Sequence, residues 1–297
     1  MFVKSIIASL FAIIFVPPGS PIEHGPLVPA EPIWKACAGK DGWSDPAPPA
    51  HVSGNVYMVG TCGITVLLVT TPKGHFLIDG ATDEAAVGIV ENIRKLGFDP
   101  KDVRYLLSTH EHIDHVGGLA KLKRITGAQY VSRKAAKVAM ESGKPDPQDP
   151  QFGSIPSFEG VKVDRLLKDG QKLRIGGQTL AMTATPGHSP GGTSWTWKMC
   201  RHKGCVRFVY ADSLNAVGPE SYRFSDHPAA VATLRASIKR IGEIEECNIL
   251  ISPHPGQSRF FQRLSGEDVL FDRSGCLTYS QAARDRLDAR LAKEAAE

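Results

Sequence analysis

No long run of lysine and arginine occurs in the 297 residues, and the aromatic residues are not interleaved with basic ones. Both features mark nucleic-acid binders, so that partner class is set aside. No two cysteines have the CxxC spacing of a zinc or redox motif. There is no short-period repeat and no low-complexity tract, which argues against a repeat array. The apolar run near the N-terminus, SIIASLFAIIFV, has twelve residues and is too short to span a bilayer comfortably.

What is present suits a soluble globular protein. Hydrophobic residues make up 42% of the chain and charged ones 22%. The length fits one large domain or two fused halves with a sizeable core. A net charge of +4 serves solubility and the steering of small anions equally well. The opening MFVK, the apolar run and the PPGS that follows resemble a secretory signal peptide. We expect it to occupy residues 1–30, ahead of a single domain over 31–297. Cleavage before Glu31 and cleavage nearer Ser20 both remain open. No cysteine lies near the run to take a lipid. The expectation is a periplasmic monomer with no membrane contact after signal removal.

Export changes how the six cysteines read. An even count in an oxidising compartment suggests disulfides. Cys200 and Cys205 flank RHKG between two strand-like runs, TSWTWKM and VRFVYA. A hairpin would bring them to bonding distance. Cys37 with Cys62 and Cys247 with Cys276 are the nearest remaining neighbours.

Along the chain, residues 31 to 53 look like an irregular arm rich in Pro, Ala and Trp. NVYMVG, ITVLLVTT, HFLID, VRYLLST and AQYVS read as strands. A helix is expected near 83–96, with Ala85, Ile89, Ile93 and Leu96 on its apolar face. Further helices are expected from His115 to Arg124 and from Ala135 to Ser142. Residues 143–160 form a long loop, a length that is often functional. KVDRLL, QKLRIGG, TLAMTAT and the cysteine hairpin continue as strands. The amphipathic HPAAVATLRASIKRIGEI, the strand CNILISP and a charged terminal helix complete the chain. Strands then helices, twice over, predict an α/β fold in which two halves face each other as an αβ/βα sandwich.

Three of only ten histidines fall between His110 and His115, in THEHIDHVGG. His110 and His112 are two apart on a chain leaving a strand, so their side chains point the same way. Asp114 and His115 follow where the chain turns toward a helix. Imidazole and carboxylate suit a borderline metal such as Zn²⁺. His188, in TATPGHSPGG, and His254, in LISPHPGQ, each follow a strand, where strand ends could converge on the first cluster. These six side chains are enough for two metals with open positions for water. His24, His51, His75, His202 and His227 have no such context and read as surface residues.

HxHxDH at 110–115, PGHSPGG at 186–192, YADSL at 210–214 and SPHPG at 252–256 together resemble the metallo-β-lactamase superfamily. They are most similar to its class B β-lactamases of subclass B3, in order and spacing, from about Trp34 to Leu264. The resemblance implies the same αβ/βα sandwich and two Zn²⁺ ions. His110, His112 and His188 would hold one, and Asp114, His115 and His254 the other. It places Ser213 where other subclasses use a cysteine ligand. Asp79 matches a buried aspartate that supports the metal loops. Gln151 and Phe152 fall in the family's pocket loop, and Cys247–Cys276 matches a late family disulfide. Some relatives carry a hydroxyl two residues after the serine to bind substrate carboxylate. Here Asn215 stands there, and its amide can still donate.

The implied activity is hydrolysis of the β-lactam amide bond of penicillins, cephalosporins and carbapenems, which confers antibiotic resistance. The implied nucleophile is a hydroxide shared by the two metals and oriented by Asp114, with no covalent acyl-enzyme. A thioester hydrolase like glyoxalase II is the main rival, because Asp212 could align with the aspartate that bridges both metals there. A lactonase is a third reading. A closed structural site or a partner-binding protein would not need six ligands with open positions.

Overall fold

The computed structural model describes residues 32–201 and 204–296. The expected signal peptide therefore lies outside the described residues, as do His24 and His202. Twelve strands form two sheets among the described residues. The first has seven strands in sequential order: β1 (Ala50–Ser53), β2 (Val56–Met58), β3 (Leu67–Val69), β4 (His75–Ile78), β5 (Val103–Leu107), β6 (Gln129–Arg133) and β7 (Arg165–Leu167). The second has the order β12-β11-β10-β9-β8, from β8 (Lys172–Ile175), β9 (Gln178–Ala184), β10 (Thr193–Arg201), β11 (Gly204–Tyr210) and β12 (Ile249–Ile251).

Period-two alternation sorts the side chains into layers. In β4, Phe76 and Ile78 face the second sheet, while Leu77 faces the helices. In β5, Leu107 takes the inner face and Leu106 the outer one. Trp195, Trp197, Phe208 and Tyr210 meet them from β10 and β11. Both faces of β4 are covered, so all four of its residues are buried, as expected for a strand between two layers. Outside the first sheet lie α2 (Ala86–Lys95) and α4 (Leu119–Thr126), packing Ile89, Ile93, Leu119 and Leu122. Outside the second lie α6 (Pro228–Gly242) and α8 (Gly275–Ala296), packing Leu234, Ile238, Ala283 and Leu287. The four layers make the αβ/βα sandwich.

Three local expectations change. The arm called irregular contains the short helix α1 (Ile33–Ala36) and β1, which pairs with β2. The helix expected over 115–124 is two, α3 (Ile113–Val116) and α4, broken at Gly117 and Gly118. A Cβ on Gly118 would meet the Gly80 carbonyl at 2.3 Å, so the break lets two backbone segments touch. His75 is not a surface residue. It is 6% exposed, packs its ring against Phe98, and accepts from the Thr71 N–H. Burial lowers its pKa. His51 and His227 are exposed.

The cysteines pair as Cys37–Cys62, Cys200–Cys205 and Cys247–Cys276. Cys200 and Cys205 face each other directly across the β10–β11 hairpin. Cys247–Cys276 joins the chain entering β12 to the start of α8.

The end of α8 also ties down the segment after β11. Glu294 accepts from Phe224 N–H at 3.1 Å, Ser225 N–H at 2.7 Å and Arg290 Nε at 2.5 Å. Arg290 also donates to the Tyr222 carbonyl at 3.0 Å. Burial pushes the Glu294 carboxyl up, but these donors outweigh it and bring its pKa down to about 2. A depressed carboxylate stabilises the fold above its unfolded pKa, near 4.5, and loses that contribution as pH falls toward 2. Glu294→Gln is therefore expected to lower the Tm of metal-free protein at pH 6, and the gap to wild type should close by pH 2 to 3. A gap that stays constant over that range would rule the linkage out.

Candidate metal centre

Strand β5 ends at Leu107, and the chain bends through Thr109 and Glu111 to His112, itself extended, before α3 begins. That geometry turns His110 and His112 to one side and puts Asp114 and His115 on the first helical turn. His188 arrives from the turn between β9 and β10. Gly187 before it has φ +133°, and a Cβ there would strike Leu234 of α6 at 2.6 Å, so the turn needs glycine. His254 follows β12. All six side chains expected at the metals thus meet at strand ends of the two sheets.

Ligand atoms of His110, His112 and His188 lie within 4.8 Å of one another. Each ring has one nitrogen already engaged. His110 Nδ1 lies 2.8 Å from Asp212 Oδ1, which also accepts from Ser213 N–H, so the histidine is the donor. His112 Nε2 donates to Asp149 Oδ2 at 2.8 Å. His188 Nδ1 donates to the Asn215 carbonyl at 2.9 Å. Of the opposite nitrogens, His110 Nε2 is buried without any partner, and His112 Nδ1 has Gln151 Nε2 at 3.4 Å. A hydrogen bond on the far nitrogen is how a protein fixes the tautomer of a metal-binding histidine.

The second group is tighter. Asp114 Oδ2 lies 3.1 Å from His115 Nε2 and 3.5 Å from His254 Nε2, and the two Nε2 atoms are 3.3 Å apart. Bonds of roughly 2.0–2.1 Å to a tetrahedral zinc place ligand atoms about 3.3 Å apart, so these spacings fit one ion. His254 Nδ1 is turned to the Gly63 carbonyl at 3.3 Å. Atoms of His110, Asp114 and His115 also fall within 4.8 Å, so the two groups adjoin at His110.

Electrostatics supports cation binding. Burial, then the charges of neighbouring histidines, hold His110 well below the usual histidine range. Burial, then His112, bring His188 to about 3, and burial, then His115, bring His254 to about 4. These imidazoles are neutral at pH 7, the form that binds metal. His115 goes the other way. Burial lowers its pKa, but the Asp114 charge and hydrogen bond, with Asp79 behind, raise it to about 10. The same pairing depresses Asp114.

Asp79 stands beneath both groups, fully buried. It accepts from Thr109 N–H at 2.7 Å and Thr109 Oγ1 at 2.9 Å, and the Tyr210 hydroxyl lies 2.9 Å away. His115 Nδ1 is 3.4 Å from it, close enough for charge attraction but without a hydrogen bond.

Of the expected substrate contacts, Gln151 is half-buried with Nε2 3.4 Å from His112 Nδ1, and Phe152 is 52% exposed. Asn215 is half-buried, and its Oδ1 accepts from Arg286 Nε at 2.7 Å. Ser213 is fully buried, and its hydroxyl has no partner among the described residues. Asp212 lies behind His110, bound to the nitrogen that faces away from the other histidines.

Sequence reading missed two buried carboxylates. Asp149 orients His112 from within the long loop. Glu111 accepts from Ser189 Oγ at 2.8 Å and Gly191 N–H at 2.7 Å, clasping the His188 turn to the first cluster. Alternation was the available signal for Glu111. It sits between two histidines that share one side, and alternation along the chain would turn it to the other.

Residues 59–202 match the sequence model of the Metallo-beta-lactamase superfamily. The solved structure of the metallo-β-lactamase MIM-1 from Novosphingobium pentaromativorans superposes with a TM-score of 0.86 at 47% identity, covering 89% of this chain and 98% of that one. The chain belongs to the metallo-β-lactamase superfamily. Another superfamily structure, MEM-A1, a subclass B3 enzyme from a soil metagenome library, superposes with a TM-score of 0.82 at 38% identity, covering 86% of this chain and 99% of its own. Curated relatives are more distant. A probable metallo-hydrolase of Burkholderia pseudomallei is 33% identical over 144 residues, 44% of this chain and 46% of its own length. The N-acyl homoserine lactonase AttM of Agrobacterium fabrum is 30% identical over 166 residues, 47% of this chain and 61% of its own. The chain spans about half the length of these two curated relatives.

Proposed function

We propose that this superfamily member is an exported, zinc-dependent β-lactamase that opens penicillins, cephalosporins and carbapenems and so confers resistance to them. The observation that carries the reading is the pair of three-ligand groups that adjoin at His110, in a chain that aligns with MIM-1 over 98% of that enzyme. His110, His112 and His188 would hold one zinc, and Asp114, His115 and His254 the other. Bound zinc supplies Lewis acidity and a nucleophilic water at neutral pH.

The chain's own groups do the rest. Asp212, Asp149, the Asn215 carbonyl and the Gly63 carbonyl each hold one imidazole in its binding tautomer. Asp114 uses Oδ2 toward the second group, and its other oxygen can accept from the attacking water and orient it. Gln151, Phe152 and Asn215 supply the wall on which substrate lies. No serine nucleophile is required, and Ser213 is sealed from solvent. Three disulfides support export to an oxidising compartment, with residues 1–30 as the signal and the periplasm as destination. No helix of the described residues is long and apolar enough to cross a membrane. A monomer acting on a small molecule is the simplest working form.

Likeness to AttM over part of the chain keeps lactone hydrolysis as the second reading, with thioester hydrolysis beside it. One experiment separates them. Purified protein is assayed on a chromogenic cephalosporin, a lactone and a glutathione thioester, before and after chelation and again after zinc is restored. We expect cephalosporin turnover to dominate, to vanish with the metal and to return with zinc. Full activity of metal-free protein, or turnover of the lactone or thioester alone, would reject the proposal.

A further inference from the structure

A cavity lies at the end of the sandwich opposite the metal centre. The candidate ligands follow β5 and β12 and occupy the β9–β10 turn, whereas the cavity gathers the start of β4, the β8–β9 turn and the last residues of β10. Strands β4 and β5 run parallel, so the start of one is far from ligands that follow the other. Hydrogen bonds tie the two sheets together here. Asn55 Nδ2 donates to the Thr70 carbonyl at 2.7 Å and to Gln178 Oε1 at 3.4 Å, and Gln178 Nε2 donates to the Lys198 carbonyl at 3.2 Å. The cavity measures about 520 Å³, within the range of small-molecule pockets. Tyr57, Pro72, Phe98 and Met199 line it, with His75 beside them. Phe98 is half-buried, and its ring meets Tyr57 and His75 edge-to-face at 5.3 Å and 5.2 Å. A wall of fixed rings suits a flat aromatic body.

Beside the cavity, a trough of about 340 Å³ lies on the outer face of the second sheet. Alternation turns Trp195, Trp197 and Phe208 inward, and Lys172, Thr179, Thr196, Lys198 and Arg207 outward. Lys198 and Arg207 are direct cross-strand partners, a like-charged pairing that is unfavourable by itself. Glu246 accepts from Lys198 at 2.6 Å and lies 3.6 Å from Arg207, so one carboxylate serves both. Lys172 adds a third cation with no ion pair among the described residues. The trough is therefore net positive and complementary to an anion. Gly177 and Lys198 border both the trough and the cavity, so one molecule can occupy the two together.

We propose that this end of the protein is a second ligand site, for an aromatic carboxylate whose rings fill the cavity and whose head group meets Lys198. The site stands apart from the candidate zinc ligands and is independent of what the metals hydrolyse.

The test measures binding of 2-naphthoate and of 2-naphthylmethanol by calorimetry, on zinc-loaded protein and again after chelation. The two probes share a ring system and differ in charge. Affinity for naphthoate should agree within about twofold before and after chelation. Wild type should favour naphthoate over the alcohol roughly fivefold at low salt, the size of one partly exposed charge contact, and by less at high salt. Lys198→Met keeps an apolar stem and removes the charge. It should bring the ratio near one by weakening naphthoate alone. Phe98→Leu should weaken both probes by about tenfold, with its melting temperature measured to show that it is folded. Binding that disappears on chelation, a naphthoate preference that survives in Lys198→Met, or unchanged affinities in folded Phe98→Leu would overturn the proposal. Should Phe98→Leu fail to fold, the Lys198→Met result decides alone.

Discussion

Asp114→Asn is expected to lower kcat by about a hundredfold or more while the protein keeps zinc at its three-histidine group. Asp114 is 6% exposed, and its Oδ2 closes the second triangle with His115 and His254. Asparagine keeps the size of the side chain and removes the charge. That weakens the hold on the second ion and leaves His115 beside an amide instead of a carboxylate. It also replaces an acceptor oxygen facing the attacking water with NH₂ in one of two orientations. Loss of an oriented nucleophile and loss of leaving-group stabilisation each cost several kcal/mol in comparable sites. A hundredfold corresponds to about 2.7 kcal/mol, so the expected fall is a lower bound. His110, His112 and His188 keep their partners Asp212, Asp149 and the Asn215 carbonyl, none of which touches Asp114. The measurement is kcat together with zinc per chain. A near wild-type kcat would remove Asp114 from the mechanism. A variant with no zinc at all would show that the two groups fill only together.

Those residues were legible in the sequence because four of the six candidate ligands fall within six positions, 110 to 115. One strand end and one helical turn dictate where His110, His112, Asp114 and His115 point, and no distant contact is needed to know it. His188 and His254 were legible for a related reason, since both follow apolar strands and strands end at a common edge of each sheet. The supporting groups were not legible in this way. Asp149 meets His112 across 37 positions, and Arg286 meets Asn215 across 71. No local pattern distinguishes either from an ordinary surface charge. His75 failed for the opposite reason. It opens a strand after a turn, where exposure is the usual expectation, but Phe98 folds back from beyond α2 to cover it. The break at Gly117 and Gly118 was hidden because the apolar pattern runs straight through it, and only the approach of the Gly80 carbonyl makes it necessary.

Asp79→Ala is expected to be the most damaging single change to stability. The carboxylate accepts from the backbone and hydroxyl of Thr109, and the Tyr210 hydroxyl lies against it, all fully buried. Alanine would strand the two Thr109 donors in this buried site, whereas the Tyr210 hydroxyl keeps the Thr65 carbonyl at 2.6 Å. Each unsatisfied buried donor costs about 1–3 kcal/mol, and breaking a buried charged network typically costs about 3–5 kcal/mol. The backbone adds to this. Asp79 has φ +67°, a left-handed conformation that Asp and Asn adopt far more readily than Ala. Asp79→Asn is the control, because it keeps the backbone preference and one acceptor oxygen. Alanine should lower the Tm of metal-free protein by roughly 10 °C, at about 2–4 °C per kcal/mol for a chain of this size, and asparagine by clearly less. Thr109 leads into His110, and Asp79 also draws His115 by charge across 3.4 Å. The added stability that zinc gives should therefore shrink in the alanine variant as well. Thermal melts of wild type and both variants, with and without zinc, read both effects. An alanine variant within about 1 kcal/mol of wild type would show that Asp79 is not the support on which the metal loops rest.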